Sequence, residues 1–489
     1  MFSVSGFCCS GLTGGDIIKL RNQGEVGTRM LVLHFSLFFK VGAQGVRLTD
    51  TPYQQAVDYL SSYTDYEVVP RLAHNAANYD LRRVDELLAR LGNPQLKARS
   101  VHITGTNGKG STAAMVASAL AVAGYTTGLY TSPHLHTWRE RVRVDGELIS
   151  EEEFVSVVER LKPEVEVVND KATYGRLTTF EILTALAFDY FRLKEADFQV
   201  LEVGMGGKFD ATSVITPEVS IITSISLDHM EVLGSSLAEI TAEKAAIIKP
   251  GGIVVTSPQP DEVSRVIEET CLNCGAREVR VGRDVTWQSM GFDSGRQLLR
   301  VQGRLDSYEL SIPLLGHYQL ENAAVAVAAL EALADKGFNV SCDSITDGLA
   351  QVKWPGRLQI LGHHPLLVVD GAHNPDAARK LKQSLGRYFE FDRAILVIGT
   401  SSDKDMAGVV SELASLFDKV IATRSNHPRT MAPESIAAEF GRHGVETQVA
   451  ENVPGALSLA LAQAGHKDLV CVAGSLFVVA EAIEHMSNL

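Results

Sequence analysis

The sequence predicts an α/β protein: a P-loop-bearing, doubly wound and mostly parallel sheet, followed by a smaller Rossmann-like α/β unit. Three observations carry that expectation. From Tyr53 onward, short β-branched runs alternate with alanine- and leucine-rich helical stretches. One of the first strands runs straight into the glycine loop "ITGTNGKGST" (103–112). The strand–helix rhythm breaks at "WPGR" (354–357) and then restarts.

The elements follow in order. "ARSVHIT" (98–104) reads as a strand, and "STAAMVASALAVAG" (111–124) as an alanine-rich helix closed by Gly124. "TTGLYT" resumes as a strand, "LTTFEILTALAFDYFRL" as a helix, and "FQVLEVG" and "EVSIITSIS" as strands. "SLAEITAEKAAIIKPGG" is a helix stopped by Pro-Gly. Residues 276–315 change to shorter, polar-interrupted strands such as "RQLLRVQG" and "YELSIPLL". After the helix "ENAAVAVAALEALADKG" and the break at "WPGR", a second series begins with "LLVVDGAHNPDAARKL", "AILVIGTSS", "KVIATRS" and "DLVCVAGSLFVVAEA". The expected division is an extension over 1–50, a nucleotide-binding unit over 51–350 and a second α/β unit over 355–489.

Length and composition bound the function. A chain of 489 residues is too long for one hydrophobic core. With 45 basic and 59 acidic side chains the net charge is −14, the wrong sign for a protein whose main partner is nucleic acid or anionic lipid. Six cysteines, at 8, 9, 271, 274, 342 and 471, read as reduced thiols, since the CxxC at 271–274 has no second pair to complete a zinc site. The apolar run "MLVLHFSLFF" (30–39) is too short to span a bilayer. Started at Met30 it could serve as a signal-peptide core, but it would then lack a basic flank. The plainer expectation is an upstream extension of no assigned function, or a misplaced start. No membrane partner is expected, and the setting expected is cytoplasmic.

The glycine loop departs from the usual GxxxxGK[ST] pattern. The spacing from Gly105 to Gly108 is shorter, and Gly110 lies between Lys109 and Ser111. Its context is nevertheless strand, loop, helix, which aims backbone amides and the positive end of a helix dipole at one point. The competing reading is a flexible turn with a solvated lysine. In an open α/β sheet a ligand sits beyond the carboxyl ends of the strands, and Ser132, Glu202 and His229 all fall there. Hydroxyl and carboxylate oxygens suit Mg²⁺, whereas histidine is a less usual ligand for it. Taken singly, Ser132 reads as a helix cap, Glu202 as a buried dipole partner and His229 as a satisfied polar group. Only their shared placement with the loop points to a site.

Eight segments together resemble the folylpolyglutamate synthase and dihydrofolate synthase family of the ATP-dependent Mur ligases: "HITGTNGKGST", "TSPHL…RERVRVDG", "LTTFEILTALAF", "LEVGMGGKFDAT", "SLDHMEVLG", "EKAAIIKPG", "WPGRLQ" and "DGAHNPDA". They occur in the family's order across about residues 51–489. The resemblance implies an amide ligase: ATP phosphorylates the carboxylate of a pteroyl compound, and the amine of L-glutamate displaces phosphate. A carboxylate is a poor electrophile until its oxygen becomes a phosphate leaving group, so positioning and charge neutralisation should carry most of the rate.

By the same resemblance, Asn107, Gly108, Lys109, Gly110 and Ser111 would cradle the phosphates, and Ser111, Ser132, Glu202 and His229 would hold Mg²⁺. Lys244 matches a lysine that the family carries as a carbamate, although it also reads as a plain helix lysine. Asn322 matches a residue near the adenine, and Arg357 and Asp370 match nucleotide contacts from the second unit, which would close over the cleft. His373 is a further candidate, while Asn374-Pro375 also reads as a helix start. Thr178, Phe209, Asp210 and Ala211 match pterin contacts, and "YDLRRV" (79–84) either joins them or opens an amphipathic helix. Lys208, Phe209 and Ser213 stand where the family usually has arginine, leucine and asparagine, which leaves the folate form open. Two other readings compete with this one. A ligase for a cell-wall precursor lacks an evident UDP-binding domain here, and an ATPase switch leaves the Glu202/His229 pair and the second unit unexplained. The substrates expected are ATP, L-glutamate and a dihydropteroate or reduced folate, bound by a monomer.

Overall fold

The computed structural model describes residues 51–68, 79–293 and 295–488. The extension expected over residues 1–50, with Cys8, Cys9 and the apolar run, lies outside them. Thr51–Leu489 forms one compact unit by its internal contacts.

Its centre is an eight-stranded sheet built from β1 (Arg99–Thr104), β2 (Thr127–Tyr130), β3 (Val142–Val144), β4 (Glu147–Leu148), β5 (Phe198–Glu202), β6 (Val219–Ile222), β7 (Ile253–Thr256) and β8 (Arg277–Arg280). The order is β4-β3-β2-β5-β1-β6-β7-β8. Every pairing from β2 to β8 is parallel, while β3 and β4 add an antiparallel edge. The central strands are buried because helices cover both faces, although Ser100, His102, Gln199 and Ser220 put polar groups inside them. On one face the helix Lys109–Val122 packs with His317–Asp335 over Val101, Ile103, Val200 and Ile221. On the other, Glu151–Lys171 and Thr179–Leu193 bury Phe154, Phe188 and Phe191.

Polar-interrupted residues 276–315 contain a separate antiparallel sheet, β9 (Thr286–Asp293), β10 (Arg296–Gln302) and β11 (Ser307–Ile312). The second large sheet holds β12 (Gln359–His363), β13 (Leu366–Val369), β14 (Ala394–Ile398), β15 (Lys419–Ala422), β16 (Glu446–Val449) and β17 (Leu469–Ala473). Its order is β12-β13-β17-β14-β15-β16, parallel apart from β12. The α/β class and the second Rossmann-like sheet expected from the sequence are both present.

The local starts are set by short-range chemistry. Gly108, at φ +92°, turns the chain into the helix Lys109–Val122, a backbone conformation that glycine adopts without strain. Asn374 caps the helix Pro375–Tyr388 by accepting from Ala377 N at 2.9 Å, with Pro375 at the first helical position. Among the described residues no helix is long and apolar enough to cross a membrane.

Candidate active site

The carboxyl ends of both large sheets open onto one cleft. From the first come the loop after β1, Ser132 after β2, Glu202 at the end of β5 and His229 beyond β6. From the second come Asp370 and His373 after β13, with Arg357 just ahead of β12. Asn107 to Ser111, Lys244 and Asn322 line the same cavity, so every residue expected to bind nucleotide or metal faces it.

The glycine loop is held open by its own chain. Lys109 Nζ donates to Gly105 O and Thr106 O, both at 3.2 Å, and Thr106 Oγ1 donates to Ser226 O at 3.0 Å. Burial pushes the Lys109 ammonium down, against the pull of Glu202 and Asp228. Lys244 Nζ reaches Gly105 O at 2.9 Å, and burial, together with the charge of Lys109, pushes it down to about 7. Gly108 lies against Asn322: a Cβ there would come within 2.5 Å of Asn322 Oδ1. Gln319 bridges the two helices, donating to Ser111 Oγ at 3.2 Å and accepting from Asn322 Nδ2 at 2.8 Å.

A hard cation fits part of the expected donor set. Glu202 is buried, its pKa raised by that burial, and its Oε2 accepts from Ser132 N at 3.2 Å. A buried carboxylate beside two serine hydroxyls suits Mg²⁺ with water completing the shell. Among the described residues no three His, Cys, Asp or Glu side chains converge as a metal cage. His229 fits less directly. Its Nε2 lies 3.3 Å from Lys404 Nζ, and burial followed by that ammonium pushes its pKa down to about 3. The imidazole is therefore neutral, but it faces a cation already supplied by the chain.

A second, more apolar cavity adjoins the first, and Gly204, Met205 and His229 line both. Its walls include Tyr66, Tyr79, Phe180 and Phe209, and all four expected pterin contacts, Thr178, Phe209, Asp210 and Ala211, lie on it. Two of these are held by the protein. Thr178 caps the helix Thr179–Leu193 in a capping box with Glu181, which in turn pairs with Arg83 at 2.6 Å. The Asp210 carboxylate accepts from Gly204 N, Met205 N and Thr212 N at 3.0 to 3.1 Å, so it shapes the loop after β5. Phe209 carries Lys208 Nζ over its ring at 5.2 Å. Asp370 is likewise occupied, by Tyr318 OH, Leu358 N and Ala372 N, each at 2.8 Å.

Sequence reasoning passed over Asp228 and Lys404. Asp228 Oδ1 accepts from Lys404 Nζ at 2.7 Å, and Oδ2 accepts from Asn374 Nδ2 at 3.2 Å with His373 Nε2 at 3.4 Å. Lys404 stands in "SSDKDM" just after β14, so the strand-end rule points to it once the second sheet is known to face the first.

A phosphate loop facing a second α/β unit across a cleft is the architecture of a Mur ligase. The middle-domain model of the Mur ligases matches residues 103–330, and their glutamate ligase domain matches 356–476. A dihydrofolate synthase/folylpolyglutamate synthase of Bacillus subtilis is 33% identical over 436 residues, covering 88% of this chain and 98% of the relative. The Mycobacterium tuberculosis folylpolyglutamate synthase complexed with ADP and AMPPCP superposes with a TM-score of 0.82 at 31% identity, over 89% of this chain and 98% of that one. An FPGS–AMPPCP–folate complex gives 0.77 at 31% identity, over 89% and 99%. The chain belongs to the folylpolyglutamate synthase/dihydrofolate synthase family of Mur ligases.

Proposed function

We propose that this protein is an ATP-dependent ligase that joins L-glutamate to the carboxylate of a dihydropteroate or reduced folate, releasing ADP and phosphate. The observation that carries the reading is the pair of adjoining cavities. One is lined by the glycine loop, the other by aromatic rings, and they meet at Gly204, Met205 and His229. A flat aromatic ring system in the second would point its carboxylate at phosphates held in the first. That arrangement favours the folate reading over a cell-wall precursor, and the ligase over an ATPase switch.

In this account Asn107 to Ser111 hold the phosphates through backbone amides, and Lys109 neutralises charge as the substrate carboxylate oxygen attacks the terminal phosphorus. The resulting acyl phosphate is opened by the glutamate amine, and phosphate leaves with the former carboxylate oxygen. Asn322 lies toward the adenine, while Arg357 and Asp370 face the nucleotide from the second sheet. Ser111, Ser132, Glu202 and His229 would hold Mg²⁺, with His229 the donor that already faces the Lys404 ammonium. Bound there, Mg²⁺ would draw charge from the phosphate oxygens. Phe209 and Ala211 contact the ring system, Thr178 and Asp210 fix its walls, and Lys244, if carried as a carbamate, would help to organise the metal side. A division at residues 51–350 and 355–489, a cytoplasmic setting and a monomeric state are part of the same proposal.

The test is ADP release with Mg-ATP and L-glutamate, comparing dihydropteroate, tetrahydrofolate and no pterin. Release that needs both glutamate and a pterin supports the ligase, and the better pterin names the preferred form. Release indifferent to both removes the reading.

A further inference from the structure

The glycine between Lys109 and Ser111 is not demanded by its own backbone. Gly108 needs its left-handed φ of +92°, whereas Gly110 has no positive φ and sits in the first turn of the helix Lys109–Val122. What Gly110 lacks is room. A Cβ there would come within 2.8 Å of Trp354 Cζ2 and 3.3 Å of Trp354 Cε2 and Nε1. Outside its own helix those are the three nearest atoms, so the added methyl would strike the indole before anything in the nucleotide cavity.

Trp354 opens the linker "WPGR" between the two large sheets, and the chain on both sides of it is fixed. Ahead of it, the helix Cys342–Gln351 lies hard against the helix of the phosphate loop. Ser118 Oγ donates to Gly348 O at 2.7 Å, and a Cβ at Gly348 would run into Ala119. Behind it, Gly356 N donates to Gln359 Oε1 at 2.8 Å, and Gly356 O accepts from Gly371 N at 3.1 Å. The indole itself packs against the core of the first sheet, and the guanidinium carbon of Arg143 on β3 stands 5.6 Å from its ring centre. Three residues further on, Arg357 lines the nucleotide cavity.

We infer that Trp354 is a positioning residue for the phosphate loop, its indole bracing the loop at Gly110 from the linker. The inference rests on the reading that the glycine loop holds ATP, and it deepens that reading by giving a residue outside the loop control of the loop's geometry. It also accounts for the departure of the loop from GxxxxGK[ST]. The extra glycine is the one residue small enough to lie under the indole, so Gly110 and Trp354 act as a pair.

The test is a double-mutant cycle on the full chain: Trp354→Ala, Gly110→Ala and the two together. Each is read by the Kd for AMPPCP and the KM values for ATP and the pterin. Trp354→Ala should raise the AMPPCP Kd and the ATP KM by about 10-fold, because an unbraced loop must be ordered on binding. Gly110→Ala should weaken binding to a similar degree in the wild-type background. Added to Trp354→Ala it should cost less than about twofold more, since the indole it would strike is gone. Trp354→Phe should recover most of the binding. The pterin KM should stay within about twofold, because Trp354 does not line the aromatic cavity. An unchanged AMPPCP Kd in Trp354→Ala overturns the inference. So do single effects that multiply in the double variant, or a loss shared equally with the pterin, as general destabilisation would give. Should Trp354→Ala fail to fold, Trp354→Leu closes the cycle with the same outcomes. If the wild type itself binds no AMPPCP, the nucleotide reading fails and the inference falls with it.

Discussion

Lys404 Nζ lies 2.7 Å from Asp228 Oδ1 and 3.3 Å from His229 Nε2. A side chain of the second sheet thus plugs its ammonium into the strand-end loop of the first. Asp228 is the hub of that junction, accepting also from Asn374 and approached by His373. Against the cost of burial, the adjacent His229 ring, the Lys404 ammonium and the His373 contact hold its carboxylate well below its usual range.

That hub predicts how the two halves communicate. Asp228→Asn should lower kcat by about 10- to 100-fold, because it leaves the Lys404 ammonium buried without its counter-charge. Asn374, which donates to Asp228, also bonds Asn107 of the phosphate loop, so the nucleotide Kd should weaken too, but by less than kcat falls. Steady-state kinetics beside a nucleotide titration separates the two effects.

Lys109 illustrates function held at the expense of stability. Its ammonium is buried, and that burial pushes its pKa down. Lys109→Met should reduce turnover by about 100-fold or more, as for loss of a charge aimed at the transition state. Its Tm should be equal to or above that of the wild type, since a buried cation is replaced by an apolar chain of similar length. Calorimetry and the ADP assay on one preparation check both halves.

Stability should fall on acidification, and His102 should contribute. Its imidazole sits in the middle of β1, with Nε2 at 2.8 Å from Thr212 Oγ1 and Nδ1 without a partner. Burial pushes its pKa from 6.5 down to about 3. Between those values the unfolded chain binds the extra proton and the folded chain does not. Stability is therefore lost as the pH drops below about 6.5, by roughly 2 kcal/mol from this residue at pH 5. Denaturant unfolding at pH 7 and pH 5 should show a smaller difference in His102→Gln.

Lys244, pushed down to about 7, is largely neutral just above that pH, and a neutral amine is the form that takes up carbon dioxide. With ¹³C-bicarbonate the wild type should show a carbamate carbon signal by NMR that Lys244→Ala lacks. Lys244→Ala should also turn over at least about tenfold more slowly.

Much of this was legible because the governing interactions are local. A β-branched strand, a glycine loop and an alanine-rich helix in succession fix β1 and the phosphate loop, whatever surrounds them. Ser132, Glu202 and His229 were found by one rule, that ligands gather at strand ends. The same rule reaches Lys404 only after "AILVIGT" is seen to face the first sheet, and that packing is nonlocal. Thr178 shows the opposite case. Its T-x-x-E spacing with Glu181 is a readable capping box, and the structure gives it that task as well as a place on the cavity wall. The inward commitment of Asp210 and Asp370 could not be read at all, because their partners include backbone amides that no side-chain pattern marks.

The central claim is that a carboxylate held in the aromatic cavity is phosphorylated by ATP held against the glycine loop. The most direct measurement uses a pterin substrate labelled with ¹⁸O in that carboxylate, followed by mass analysis of the phosphate released during turnover with L-glutamate. The account predicts one ¹⁸O atom in each phosphate, since the carboxylate oxygen departs with the phosphoryl group. Phosphate free of label, released in step with amide formation, would contradict it.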